Sequence, residues 1–302
     1  MPDLTLEMRE AYTPDFSNGD VYRCFVLPTD LSEDRYVTAT EVAPGNRAMV
    51  HHALLYIEEG TASEELIGHD PAGSYPCFGG PRVATNDGMG EWAPGNEPHF
   101  FPPGIARLLP KGARVIMQVH YSARNGSVRP DRAVVGLHFA KSPVRRRLLT
   151  GAVYGPNDFV IPAGASDYTL KGTLSYESDV QLIGILPHMH LLGRTMTVSA
   201  TLPDGTQKCL VDVRDWDFHW QRAYSYRNPV GLPAGTRPEL VATYDNSSAN
   251  PNNPNDPPRE VRLGENTTDE MCQALLFWTV DREDREEEPE KAARSVPKRG
   301  FF

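Results

Sequence analysis

Ala113-Arg114-Val115-Ile116-Met117-Gln118-Val119-His120-Tyr121-Ser122 is a short run rich in β-branched and aromatic residues, the composition of a β-strand. Similar runs lie at Tyr36–Glu41, Ala48–Ile57, Ala133–Phe139, Tyr168–Leu174, Val180–Leu186, Thr195–Leu202 and Leu275–Val280. The 27 prolines and 25 glycines are spread between them and break the chain into short elements. Many short strands punctuated in this way predict an all-β protein, with antiparallel β-sandwich (jelly-roll-like) domains. Long helical periodicity is almost absent. No repeat with a period of about 20–50 residues occurs, which argues against solenoids and propellers.

A chain of 302 residues is large for one sandwich and comfortable for two in tandem. Lys141–Leu149 (KSPVRRRLL) reads as the joint, giving domains at 1–145 and 146–280 and a densely charged tail at 281–302. The stretch Asp245–Glu260 (DNSSANPNNPNDPPRE) reads as an exposed loop, long enough to cover something. A hydrophobic share of 39% suits a folded protein, and the net charge of −10 disfavours a nucleic-acid or anionic-membrane partner. No apolar run approaches the roughly 18–20 residues of a spanning helix. The start, Met1-Pro2-Asp3-Leu4, lacks a basic and an apolar region, so no signal peptide is expected here. The expectation is either a cytoplasmic protein or a periplasmic or secreted one whose leader was removed. Asn246-Ser247-Ser248 and Asn266-Thr267-Thr268 match glycosylation acceptors, a pattern short enough to arise by accident.

Five of the nine histidines fall in three apolar motifs: Val50-His51-His52-Ala53, Gln118-Val119-His120-Tyr121 and Pro187-His188-Met189-His190. Strand alternation puts His188 and His190 on one face, close enough to share a metal ion. Adjacent histidines are harder. In a regular strand His51 and His52 point to opposite faces, so joint ligation requires a bulge or a strand end. Imidazoles alone suit zinc, copper, iron or nickel, whereas a soft thioether favours cuprous copper. Met271, in Thr268-Asp269-Glu270-Met271-Cys272, is the methionine that bears on this choice, although residue type alone reads it as core filler. His69, His99, His138 and His219 read as surface or packing residues. His219 sits in the aromatic cluster Asp215–Trp220, which packs or lines a substrate pocket.

In order along the chain, these motifs resemble the copper type II, ascorbate-dependent monooxygenases, the family of peptidylglycine α-hydroxylating monooxygenase and dopamine β-monooxygenase. The resemblance covers roughly residues 20–280 and includes a Tyr-x-Cys element at Tyr22-Arg23-Cys24. Its general look is that of the family's bacterial relatives. It implies two copper ions: one held by His51, His52 and His120 for electron storage, the other by His188, His190 and Met271 as the catalytic site for dioxygen. A substrate C–H bond would be hydroxylated at the second site, with an electron passed from the first across a solvent-filled gap. Ascorbate or another external donor would restore both. A Cys24–Cys77 disulfide is also implied and would indicate an oxidising compartment.

Leu186 stands where the peptide-amidating member carries an arginine for the substrate carboxylate, so a carboxylate-terminated peptide is disfavoured and the organic substrate stays unassigned. Glu239–Asn246 lacks the cysteine that partners the family's Asp-Glu-Met-Cys segment, leaving Cys272 to meet Cys209 or stay free. One competing reading is a copper-binding or electron-transfer protein without hydroxylase activity. Another is a zinc hydrolase, weakened because no glutamate adjoins His188-Met189-His190 and Met271 would be idle.

Overall fold

Strand-forming runs fold as strands throughout the computed structural model, which describes residues 1–85, 88–92, 98, 100–122, 128–218 and 220–280. The tail 281–302, His99 and His219 lie outside the described residues. The protein is all-β, in two compact units that meet in sequence between Leu148 and Leu149.

The first unit contains β1 (Leu4–Glu7), β2 (Val21–Pro28), β3 (Arg35–Ala43), β4 (Val50–Glu58), the short helix α1 (Ala62–Ile67) and β5 (Ser74–Pro76). There follow β6 (Gly88–Trp92), β7 (Ile105–Leu109), β8 (Arg114–Tyr121), β9 (Val134–Phe139) and β10 (Arg146–Arg147). They form two five-stranded sheets, ordered β1-β9-β3-β7-β10 and β5-β2-β8-β4-β6. Both sheets supply the core: Val37, Val42, Val135 and Leu137 come from one, Phe25, Leu55, Ile57, Val115, Met117 and Val119 from the other. Each such buried side chain contributes roughly 1.5–3 kcal/mol over exposure. A one-residue slip would turn the whole inward set outward, so the core also fixes which residues face away from it.

Tyr22, Cys24, His52, Gln118 and His120 belong to that outward face of the second sheet. A smaller cluster of Cys24, Val26, Tyr56, Tyr75, Cys77 and Ile116 packs there. The Cys24–Cys77 disulfide pins the chain after β5 to β2, with its Cα atoms 5.7 Å apart.

The second unit contains β11 (Leu149–Tyr154), β12 (Val160–Ile161), β13 (Tyr168–Thr173), β14 (Val180–His188) and β15 (Gly193–Thr201). It continues with β16 (Gln207–Val213), β17 (Tyr224–Leu232), β18 (Arg237–Tyr244), β19 (Val261–Arg262) and β20 (Gln273–Val280). Sheets β11-β20-β14-β17 and β13-β18-β15-β16 carry four strands each, and β12 pairs with β19. Leu182, Ile185 and Leu276 from one sheet pack with Met196, Val198, Leu240 and Ala242 from the other.

Three details differ from the sequence expectation. The pairing is not wholly antiparallel, because β10 runs parallel to β7 where the chain leaves the first sheet along its edge. Arg146–Arg147 therefore belong to the first unit rather than to a domain starting at 146. The Asn-rich stretch 245–260 is not simply exposed, since Asn246 and Asn250 are buried. The Asn246 amide nitrogen donates to the carbonyls of Ile161, Pro162 and Arg259, which leaves it unavailable as a glycan acceptor in the folded chain. Cys209 and Cys272 are both free thiols, the first exposed and the second buried.

Candidate metal centres

In the first unit the decisive feature is a bulge. Val50 pairs with Tyr121 and His52 with His120, so two steps along β4 match a single step along β8. Val50 and Ala53 both reach the core, and the two residues between them both face the other way. Adjacent histidines thereby share a face that a regular strand would deny them. His51 Nδ1 lies 3.2 Å from His52 Nδ1 and 3.2 Å from His120 Nδ1. Among the described residues these three form the one group of His, Cys, Asp or Glu side chains whose ligand atoms lie within 4.8 Å of one another.

Three imidazoles bonded to one metal at about 2.0–2.1 Å bring their nitrogens to roughly 3.3 Å from each other. The observed spacing fits that demand. On the far side of the His120 ring, Nε2 meets Asp20 Oδ2 at 2.8 Å, and the Tyr22 ring stacks on the imidazole at 4.2 Å between centroids. Gln118 completes the local frame: its amide donates to Cys77 O at 2.8 Å, and its oxygen accepts from the Tyr56 hydroxyl at 3.3 Å.

In the second unit His188 is the last residue of β14, and His190 lies beyond it, in the turn to β15. Alternation carries on for one step past the strand: Met189 is fully buried in the core, while the rings on either side meet at 5.1 Å and nearly at right angles. What holds the turn is Glu270. Its carboxylate accepts from the backbone N–H of His190 at 2.8 Å, of Leu192 at 2.7 Å and of Met271 at 3.1 Å. Burial drives this carboxyl up to about 8, against backbone donors at His190, Leu192, Met271 and Gly193 that pull it down. The same side chain that grips the His190 turn thus grips the backbone of Met271.

The β14–β20 register sets His188 opposite Gln273, two residues after Met271. The Gln273 amide approaches Met271 Sδ at 3.6 Å, and the Tyr244 hydroxyl donates to Met271 O at 2.8 Å. Both rings are anchored through Nδ1, His188 to Gln221 Oε1 at 2.6 Å and His190 to the Asp269 carbonyl at 3.1 Å. This orientation turns each Nε2 away from its anchor. Loss of water around the half-buried His188 ring pushes it down to about 4, so it is a neutral imidazole near pH 7. Trp216 closes the turn by donating from Nε1 to His190 O at 3.0 Å. Gly193 allows that approach, since a Cβ there would lie 2.9 Å from both Met189 and the Trp216 ring.

Leu186 is buried on β14, where it pairs with Leu275. His69 is exposed, and His138, on β9 of the other sheet of the first unit, packs against Phe100 and contacts Glu41 at 3.3 Å. Asp20, Gln221 and Glu270 were not singled out from the sequence. Each belongs to the site through folding, and Glu270 alone had a signal, its place beside Met271.

Residues 147–291 match the family model described as copper type II ascorbate-dependent monooxygenase, C-terminal domain. DBH-like monooxygenase protein 1 of Gallus gallus is 24% identical over 87% of this chain and 46% of its own length. The Mus musculus protein of that name is 22% identical over 87% of this chain and 45% of its own. Residues 147–291 are thus similar to the C-terminal domain of the copper type II, ascorbate-dependent monooxygenases, and most of the chain is similar to the two DBH-like proteins. The chain spans a little under half the length of these curated relatives. Among solved structures, the infectious bursal disease virus VP2 subviral particle overlaps 92% of this chain and 70% of that one, at 11% identity and a TM-score of 0.27. That likeness carries no argument.

Proposed function

We propose that this protein is a copper-dependent monooxygenase that hydroxylates a C–H bond of a small organic or peptide-like substrate with O2 and an external reductant such as ascorbate. The observation that carries the reading is the pair of donor sets of unequal softness. His51, His52 and His120 offer three converging Nδ1 atoms; His188 and His190 offer two imidazoles, and Glu270 holds the His190 backbone together with that of Met271, the thioether expected as third donor. Imidazole alone leaves several metals open, whereas the methionine favours copper. Bound copper supplies one-electron redox chemistry and the activation of dioxygen.

The chain's own contribution is presentation. The bulge turns His51 and His52 to one side. Asp20, Gln221 and the Asp269 carbonyl each occupy one ring nitrogen and so commit the other to the metal. Glu270 fixes the distance between the His190 turn and Met271. Leu186 offers no cation to a substrate carboxylate, which supports an uncharged or differently anchored substrate. The Cys24–Cys77 disulfide supports an oxidising compartment, periplasmic or extracellular.

Copper analysis paired with ascorbate-driven oxygen consumption tests the reading. Two copper ions per chain, with oxygen uptake that collapses in Met271→Ala, are expected. Tight copper binding with no ascorbate-dependent uptake would make the protein a copper carrier or electron-transfer protein. One zinc per chain would overturn the copper assignment.

A further inference from the structure

The residues just ahead of and within β2 alternate across the sheet, so Asp20, Tyr22 and Cys24 fall on one face. Tyr22 is the direct cross-strand partner of His120, and Asp20 is therefore its diagonal neighbour. The three contacts divide the work: Cys24 ties the sheet to the loop, Tyr22 stacks on the His120 ring, and Asp20 reaches its Nε2. His120 is 2% exposed, so its ring cannot take up hydrogen bonds from bulk water in place of that carboxylate.

We propose that Asp20 is a positioning residue for the three-histidine metal centre: it holds His120 as the Nε2–H tautomer and biases the bound metal toward its more oxidised state. The inference rests on the copper-site reading above. A carboxylate only accepts, so the proton of a neutral His120 belongs on Nε2, and the Nδ1 lone pair is left facing His51 Nδ1 at 3.2 Å. A negative charge behind the ring also makes the imidazole a stronger donor, which favours a metal of higher charge. The second unit contains the contrast. There His188 Nδ1 meets an uncharged amide and His190 Nδ1 an uncharged carbonyl, and the third expected donor is a thioether, a combination suited to cuprous copper. The charge behind the ligands thus separates the two centres in potential, the three-histidine one being lower.

Two variants separate orientation from charge. Asp20→Asn keeps an acceptor without the charge, and Asp20→Ala removes both. In metal-free full-length protein, nitrogen NMR of the His120 ring is expected to report the Nε2–H tautomer in wild type and in Asp20→Asn, and a mixture in Asp20→Ala. In a full-length His188→Ala/His190→Ala background, which isolates the first centre, competition with chromophoric chelators for Cu(I) and Cu(II) gives both affinities. Asp20→Ala is expected to weaken copper binding about 10–100-fold. Asp20→Asn is expected to lose mainly Cu(II) affinity, which raises the potential. An unchanged tautomer in Asp20→Ala, or unchanged affinities for both oxidation states in both variants, would overturn the proposal. A parent protein that binds no copper at this centre would instead overturn the metal reading, and the metal-free NMR would still decide the role of Asp20.

Discussion

In the first unit the donors come from within two strands paired with each other, whereas in the second they come from the spent end of one strand and the turn ahead of another. The first arrangement needs a defect in the ladder, the bulge that lets His51 and His52 face the same way. The second needs no defect at its histidines but must hold irregular backbone in place, and it does so with one buried carboxylate. A sheet interior is rigid at little further cost because the core on its other face fixes the register. A turn has no such support. Its backbone N–H groups must be satisfied individually, and Glu270 satisfies several at once.

Removing Glu270 is the harshest way to break that contrast. Glu270→Ala leaves the N–H groups of His190, Leu192 and Met271 without their acceptor, and each unsatisfied buried group costs about 1–3 kcal/mol. The expected loss is on the order of 5 kcal/mol, borne by the second unit alone. Hydrogen exchange would show it as lost protection at 188–193 and 269–273, with 50–58 and 114–121 still protected. Equal loss in both stretches would mean that the units do not unfold separately.

The first unit has its own point of failure. Its disulfide closes a separation of 53 residues, and no second disulfide occurs among the described residues. Loop-closure entropy puts the stabilisation at about 4 kcal/mol. Reduction should therefore lower the melting transition of the first unit and spare that of the second, where Cys209 and Cys272 are already thiols. Calorimetry with and without reductant checks this directly. A drop in both transitions would break the asymmetry.

How much of this was legible in the sequence follows the same division. Runs with one apolar face, such as those that became β4, β8, β14 and β20, announce themselves because burial demands the pattern. β17 does not: it is largely exposed and contains Pro229, so neither burial nor propensity marks it. The five expected histidine ligands were readable as residue types in apolar motifs, whereas Met271 entered only through the resemblance that the order of the motifs suggested. Of the groups that aim them, only Glu270 had a signal, its place beside Met271, and its action was not readable. Asp20 acts on His120 from a hundred positions away, Glu270 on His190 from eighty, and Gln221 on His188 from 33, each through contacts that exist only after the sheets form. Nor was the bulge readable. Val50-His51-His52-Ala53-Leu54-Leu55 has apolar residues on both sides of the pair, so the run alone does not say which step is doubled.

That doubled step permits the gentlest and most selective test. In β4 the residue in excess of the β8 ladder is His51, and on either side of it the pairing is regular. Deleting His51 would let Val50 pair opposite Tyr121 and His52 opposite His120 in consecutive steps, with Val50 and His52 then on opposite faces as a strand requires. Val50 would keep its place in the core, and Ala53, Leu55 and Ile57 would keep theirs. The expected change in stability is therefore under about 1 kcal/mol, close to that of a surface substitution. Metal binding at the first centre should nevertheless fall by far more than tenfold, since one of three donors is gone and the pair can no longer converge. Denaturant melts beside copper titration in a second-centre-deficient background would read both quantities. A deletion that unfolded the unit would mean that the bulge is part of the fold. Unaltered metal binding would mean that His51 is not a ligand, and stable protein with a lost site would assign the bulge to the metal alone.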